Sequence, residues 1–386
     1  MNELPVGRRV AQWRVRRNMT QQQFADRIGR SKSWVDKVER GVRRLERVSS
    51  LREVADALRI DLGVLLADRP GRPDPAAAGV EGVRAALSRY HVEPSPAPVD
   101  VAAVRARLDH AEQSYRHARY PQLLALLPGL LDAARVARAV RPDRTTGGLL
   151  VSGYALTALA LVKVDQGELA WLAADRGMAL ALATGDPQVA AVATVSLAQT
   201  LRHGGRRRSA MEAAVVAVHR LRSTPAGAAD PSLLGALLIQ AALAAADRGL
   251  DRDAGQLLDQ AAETDREVGA GDSGFGRAAV EAARVVAETA LGDTPAATAR
   301  HERLTAGGGW RWLPTEHRAA YLLDVARAYV LAGDLRRAGR ALLDAERTAR
   351  GEVHDRPAVR DLVAVVARSA AAPPDLARLA AALHVT

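Results

Sequence analysis

No cysteine occurs among the 386 residues. Disulfide scaffolds, thiolate metal sites and cysteine nucleophiles are therefore excluded. Aromatic residues make up only 3% of the chain. That scarcity argues against a β-sandwich or barrel, whose cores draw on aromatic and β-branched side chains. Asparagine occurs only at Asn2 and Asn18, and lysine only at Lys32, Lys37 and Lys163. The opening MNELPVGRRV lacks the apolar core of a signal peptide. No uncharged apolar run is expected to reach the roughly 18 residues that span a bilayer. A soluble cytoplasmic protein with no membrane partner is expected.

What is present is helical in character. Apolar residues make up 48% of the chain, dominated by alanine, which suits helices packed closely on small side chains. The length favours two domains, or one domain and a repeat array. The net charge of +10 is uneven. Residues 1–70 hold 16 Arg and Lys against 9 Asp and Glu, or +7, leaving +3 for the other 316 residues. A basic segment on a near-neutral body is the footprint of a nucleic-acid-binding head.

Five helices are predicted in that head. The first runs from about Val6 to Arg17, with Val10 and Trp13 inward, and Asn18 can end it. Thr20 and Gln23 form a capping box for the second, which buries Phe24, Ala25 and Ile28 and stops at Gly29. Ser31 caps the third, which ends at Gly41. Ser49 and Ser50 precede a fourth that buries Leu51, Val54 and Leu58. Asp61 starts a fifth, carrying Leu62, Leu65 and Leu66. Two of the three lysines fall between Thr20 and Gly41, in the pair formed by the second and third helices. On a wheel of 100° per residue, Val35 and Val38 face Phe24 and Ile28, so Ser33, Asp36 and Lys37 point outward.

In order and spacing, Arg14, Thr20-Gln21, Phe24-Ala25, Gly29, Val35, Val38 and Glu39-Arg40-Gly41 resemble the DNA-binding domain of phage-repressor-like regulators, the XRE family. The resemblance covers the first 66 residues. It implies that the third helix enters the major groove of double-stranded DNA, with Lys32, Ser33 and Lys37 reading bases. It implies that Gln21 bonds a phosphate, aided by the amides that open its helix. Arg43, Arg44 and Arg47 would contact backbone or an adjacent minor groove and make binding salt-dependent. Arg14 and Glu39 look like the family's internal ion pair, with a structural role. Asp36 could accept from cytosine or repel wrong sequences. Trp34 departs from the family's commoner smaller residue and is expected to cover the edge of the core.

The segment DRPGRPDP, residues 68–75, cannot continue a helix. Together with VEPSPAP at 92–98 it brackets one short amphipathic helix. We therefore divide the chain into a helix-turn-helix domain (1–67), a Pro-rich linker with one helix (68–99) and a helical body (100–386). In the body, glycines at 167, 205, 249, 292 and 333 recur every 38 to 44 residues and bracket helix pairs. An all-α fold with an α-solenoid body is expected. Residues 322–349 look like a tetratricopeptide (TPR) repeat, with HEAT-like stacking as the alternative.

Helix-turn-helix heads on TPR-like bodies resemble two groups: peptide-pheromone receptors of Gram-positive bacteria and a large set of actinobacterial regulators. The arginine- and alanine-rich composition favours the second. The absence of asparagine from the body counts against the peptide reading, though Gln199, Gln240 and several arginines could substitute. Ligand candidates are Trp310 and Trp312 beside a glycine run, and Tyr154, Arg202, His203, Tyr321, Asp324 and Arg327 on first helices of pairs. No enzyme, metal site or cofactor is expected. The nine histidines show no HExxH spacing, His110 and His117 stand seven apart without a completing carboxylate or thiol pattern, and the glycine runs lack the lysine of a phosphate loop. The function expected is a homodimeric transcriptional regulator on a roughly palindromic operator, answering to a small-molecule or peptide effector. A DNA-binding adaptor whose solenoid recruits a protein partner is the alternative.

Overall fold

The computed structural model describes residues 6–17, 19–43, 45, 48–58, 60, 75–90, 100–224, 230–265 and 275–385. Every regular element among them is helical. The chain forms two compact units, residues 1–74 and 75–386.

The first unit contains α1 (Val6–Arg16), α2 (Gln21–Arg27), α3 (Lys32–Glu39) and α4 (Val48–Leu58). The predicted fifth helix lies outside the described residues. Thr20 accepts from the Gln23 amide while the Gln23 side chain returns to Thr20, so the capping box is complete. Gly29 then turns left-handed at φ +63°, and Ser31 caps α3 through the Trp34 amide. Val10, Phe24, Ala25, Val35, Val54, Ala55 and Leu58 form the core. Trp13, Ile28 and Trp34 are half-buried around it. Gly7 was not anticipated as a contact residue. A Cβ there would lie 1.9 Å from the Val38 carbonyl oxygen, so α1 crosses the end of α3 at a distance only glycine allows.

The second unit begins with α5 (Pro75–Leu87). This corrects the division made from sequence, because α5 is no free linker helix. Val80, Val83, Ala86 and Leu87 are buried in the core of the body, and α5 packs along α7 (Tyr120–Val140). Arg89 extends the attachment through a 2.5 Å ion pair with Asp132.

Among the described residues, six helix pairs follow. Their first members are α6 (Val101–Arg116), α8 (Arg144–Lys163), α10 (Pro187–His203), α12 (Pro231–Ala246), α14 (Arg277–Leu291) and α16 (Thr315–Leu331). Their second members are α7, α9 (Gly167–Thr184), α11 (Arg207–Arg222), α13 (Asp251–Thr264), α15 (Thr294–Ala306) and α17 (Leu335–Thr348). Short helices α18 (Arg350–His354), α19 (Pro357–Ala367) and α20 (Pro374–Ala382) complete the unit. Each first helix packs on the next first helix, and α16 packs back on α6. The array therefore winds through one closed turn, with the first helices inside.

Two repeating devices set this geometry. Asp100, Asp143, Asp186 and Asp230 cap four successive inner helices by accepting from backbone amides. Within each pair the chain turns through one left-handed residue: Ala118, Asp165, Gly205, Gly249, Gly292 or Gly333. The sequence-based marker Gly167 is displaced by Asp165 and instead opens α9. Asp tolerates the left-handed region better than most residues, which is why the second repeat lacks a glycine at its turn.

Ring closure rests on Gly351 in α18, where a Cβ would stand 1.9 Å from the Ala118 carbonyl oxygen. One expectation about membranes is corrected. Helix α8 is long and apolar enough to cross a bilayer by length and composition, but 72% of its apolar window is buried in the body. Its apolar circumference reflects packing on both sides within the ring.

Candidate nucleic-acid interface and inner chamber

On α3 the two inward valines leave the opposite face free. Lys32, Ser33 and Lys37 are exposed there, and among the described residues their side chains make no hydrogen bond or ion pair. Asp36 does not share that freedom, since Arg40 lies 3.3 Å away one turn on. Arg43 follows α3, its amide donating to the Lys37 carbonyl oxygen at 2.9 Å. Its guanidinium sits 5.9 Å from the Trp34 ring centroid, and that of Arg30 sits 5.8 Å away. Trp34 thus edges the core, as expected, and also carries two arginines. Arg44 and Arg47 lie outside the described residues.

Behind this face lies a polar brace. Arg14 donates from Nε to Glu39 Oε1 at 2.6 Å and from Nη2 to Oε2 at 3.0 Å, a two-point pairing of guanidinium and carboxylate. Its Nη1 donates to the Met19 carbonyl oxygen. Gln21 Nε2 donates to Glu39 Oε2 at 2.9 Å. Glu39 is 5% exposed, so its charge is satisfied within the fold. The brace ties α1, α2 and the end of α3 together. It also fixes Gln21: one amide hydrogen is committed to Glu39, and the second remains for another acceptor.

The body surrounds a chamber of two adjoining lobes, about 470 and 510 Å³ in volume. Tyr115, Leu159, Gln199, Ile239, Gln240 and His317 border both. Leu156, Val195, Leu233, Ala236 and Phe275 give the first lobe an apolar surface, beside the charged Glu112, Arg116 and Asp230. The second brings together four of the candidate ligand residues: Arg202, His203, Tyr321 and Asp324.

The other four candidates are corrected. Tyr154 points away from the chamber and accepts from Arg135 Nε at 3.1 Å. Arg327 pairs with Asp324 one turn earlier. Trp310 packs against the core near α16, with the Arg318 guanidinium 5.9 Å from its ring. Trp312 is 88% exposed. A short 3-10 turn, Gly308–Trp312, directs both tryptophans outside the ring.

Sequence reasoning missed the ionic cluster beside the second lobe. Lys163 Nζ meets Glu316 and lies 2.8 Å from Glu352 Oε1. Arg356 and the Tyr120 hydroxyl also bond Glu352, which is fully buried. Burial works against the charge on Lys163, but the Glu316 and Glu352 carboxylates outweigh it and hold the ammonium above its ordinary pKa. Burial likewise opposes the Glu352 carboxylate, yet Lys163 and Arg356 keep its pKa below the usual value. The cluster joins α7, α8, α16 and α18 where the ring closes. The available signal was Lys163 itself, the one lysine of the body. His317 is different: burial lowers its pKa, so the imidazole is neutral at the chamber wall.

Comparison with known proteins matches the first unit. Residues 5–68 fit the model of a helix-turn-helix domain. No curated protein matches the chain in sequence. Among solved structures the chain is similar to BtubC (BKLC) from P. vanneervenii, with 18% identity, 64% of this chain and 91% of that one covered, and a TM-score of 0.40. It is similar to PlcR from Bacillus thuringiensis, solved with the peptide PapR7 and DNA, at 13% identity, 79% and 95% coverage and a TM-score of 0.38. It is also similar to aspartyl phosphate phosphatase F from Bacillus subtilis, at 12% identity, 90% and 94% coverage and a TM-score of 0.45. Residues 5–68 are thus a helix-turn-helix domain, and the described chain beyond it is an all-α array of helix pairs.

Proposed function

We propose that the chain is a sequence-specific transcriptional regulator of the cell interior. The first unit binds operator DNA and the body senses a signal. The observation that carries this reading is the free face of α3, with Lys32, Ser33 and Lys37 exposed above the Arg14–Glu39 brace. Lysines donate to guanine O6 and N7 in the major groove, and serine accepts several bases. Gln21 and Arg43 position the unit on phosphates, and Arg44 and Arg47 extend that contact. One such unit covers little DNA, so a homodimer on a near-palindromic operator gives the specificity a regulator needs.

The sensing reading is favoured over the adaptor reading by the closed turn of inner helices. An inner surface enclosed around its circumference suits a small guest better than a protein partner. A ligand would alter operator occupancy only to the extent that it binds one arrangement of the dimer better than another.

The experiment is selection of duplexes from a random pool by purified full-length protein. Enrichment of a symmetric site with two half-sites is expected. Recovery of no preferred sequence, at low salt as well as high, would contradict the reading.

A further inference from the structure

We infer that the inner chamber is a binding site for a neutral, amphipathic small molecule bearing a hydrogen-bond donor. This deepens the sensing part of the proposed function and rests on it. The two lobes, about 470 and 510 Å³, fall in the range of small-ligand sites. The wall of Leu156, Val195, Leu233, Ala236, Ile239 and Phe275 offers apolar surface to an apolar guest.

Most polar and charged groups around the second lobe are already engaged within the fold. Lys163 lies between Glu316 and Glu352, Arg356 holds Glu352, Arg202 lies 2.9 Å from Asp247, and His203 lies 3.1 Å from Asp165. Burial raises the pKa of Glu112 on the wall of the first lobe, against the opposing charge of Arg116, and Asp230 caps α12 by accepting from the Ser232 amide. In the second lobe a strongly charged ligand would compete with these pairs, whereas a neutral one leaves them intact.

The chamber also holds neutral groups with hydrogen-bonding capacity to spare. Gln240 borders both lobes and is only 8% exposed, yet its Oε1 has no hydrogen-bond partner. The terminal torsion of glutamine is soft, so rotation of the amide can offer that oxygen to a guest. A buried acceptor without a partner is costly, and a ligand N–H or O–H would satisfy it. Tyr115, Gln199 and His317 stand beside it as further neutral hydrogen-bonding groups.

An extended peptide is a poorer occupant. Its backbone presents a donor and an acceptor at every residue, and the side-chain amides that could match both together are two glutamines and no asparagine.

The test uses two fluorescent probes of similar shape on the full chain. N-phenylnaphthylamine is neutral, apolar and carries one N–H; phenylnaphthalene lacks the N–H. The wild type is expected to bind both. Ala236→Phe, which fills the first lobe, should weaken both at least tenfold, as a steric block on a small site would. Gln240→Leu should weaken N-phenylnaphthylamine about fivefold, the size of one neutral hydrogen bond, and leave phenylnaphthalene unchanged. Val195→Phe fills the same lobe from the neighbouring helix and replaces Ala236→Phe should that variant melt early.

Wild-type-like binding by both lobe-filling variants would overturn the inference. So would an equal loss of both probes in Gln240→Leu. Operator binding is measured on the same samples. Failure of the probes with DNA binding intact removes the chamber and leaves the regulator; loss of DNA preference with probe binding intact does the reverse.

Discussion

The first unit and the body use charge in opposite ways. On α3, Lys32 and Lys37 stand exposed without partners among the described residues. In the body the single lysine, Lys163, is held between Glu316 and Glu352. The same side chain is thus an offer to an external anion in one place and an architectural tie in the other. The net charges agree, +7 on residues 1–70 against +3 on the rest. Each unit also contains a buried carboxylate that organises its cations: Glu39 in the first, Glu352 in the second. The difference between the units lies in what is left over once those carboxylates are satisfied.

The largest effect that could break this comparison is in the body. Glu352→Ala strips a fully buried carboxylate from Lys163, Arg356 and Tyr120, a loss on the order of 3–5 kcal/mol for a broken buried pair. Calorimetry should show the body melting at lower temperature while the first unit's DNA preference survives at low temperature. A melting point equal to wild type would show that ring closure does not depend on the cluster.

Next comes the brace of the first unit. Arg14→Ala leaves Glu39 buried without its guanidinium, at about 3 kcal/mol. Operator and random duplex should then lose binding together, because α3 is no longer held. The milder substitution Arg14→Lys keeps the charge but not the two-point geometry, and should recover only part of the stability. Selective loss on the operator alone would give Arg14 a reading role and undo the distinction between brace and face.

A smaller effect concerns acid. Burial lowers the pKa of His317, and also that of His301, which bonds Tyr321. The unfolded chain takes up these protons more readily than the folded one, so their stabilising contribution is present above the ordinary histidine pKa. It is lost as pH falls through the folded values. The body should therefore melt progressively lower between about pH 7 and pH 5, and His317→Gln should flatten that slope. An unchanged slope in the variant would show that His317 is not the group responsible.

Much of the first unit was legible because its signals are local. Thr20, Gln23, Gly29 and Ser31 act within one turn of chain, and Val35 and Val38 face inward by helical period alone. The ion pair of Arg14 and Glu39 came from the family's spacing and is present at 2.6 Å. Gly7 escaped notice because its role is a contact with Val38, 31 positions away in sequence.

The body was legible as helix pairs but not as a closed turn. Closure depends on Ala118 against Gly351 and Tyr120 against Glu352, residues more than 200 apart in sequence. Turn glycines marked four pairs, while Ala118 and Asp165 filled the same role without glycine. The capping aspartates at 100, 143, 186 and 230 carried the repeat more faithfully than Gly167 did. Tryptophans were poor guides to the chamber, since Trp312 is 88% exposed. The polar candidates did better: Arg202, His203, Tyr321 and Asp324 meet in one lobe, with Gln199 and Gln240 beside them.

The central claim is that the unpartnered face of α3 reads sequence. Its most direct test is Lys37→Ala, with fluorescence anisotropy on the selected operator and on random duplex at matched salt. The account predicts a loss of about 1–3 kcal/mol on the operator and a much smaller loss on random duplex. Equal losses on the two duplexes would place Lys37 on phosphate alone and contradict the account.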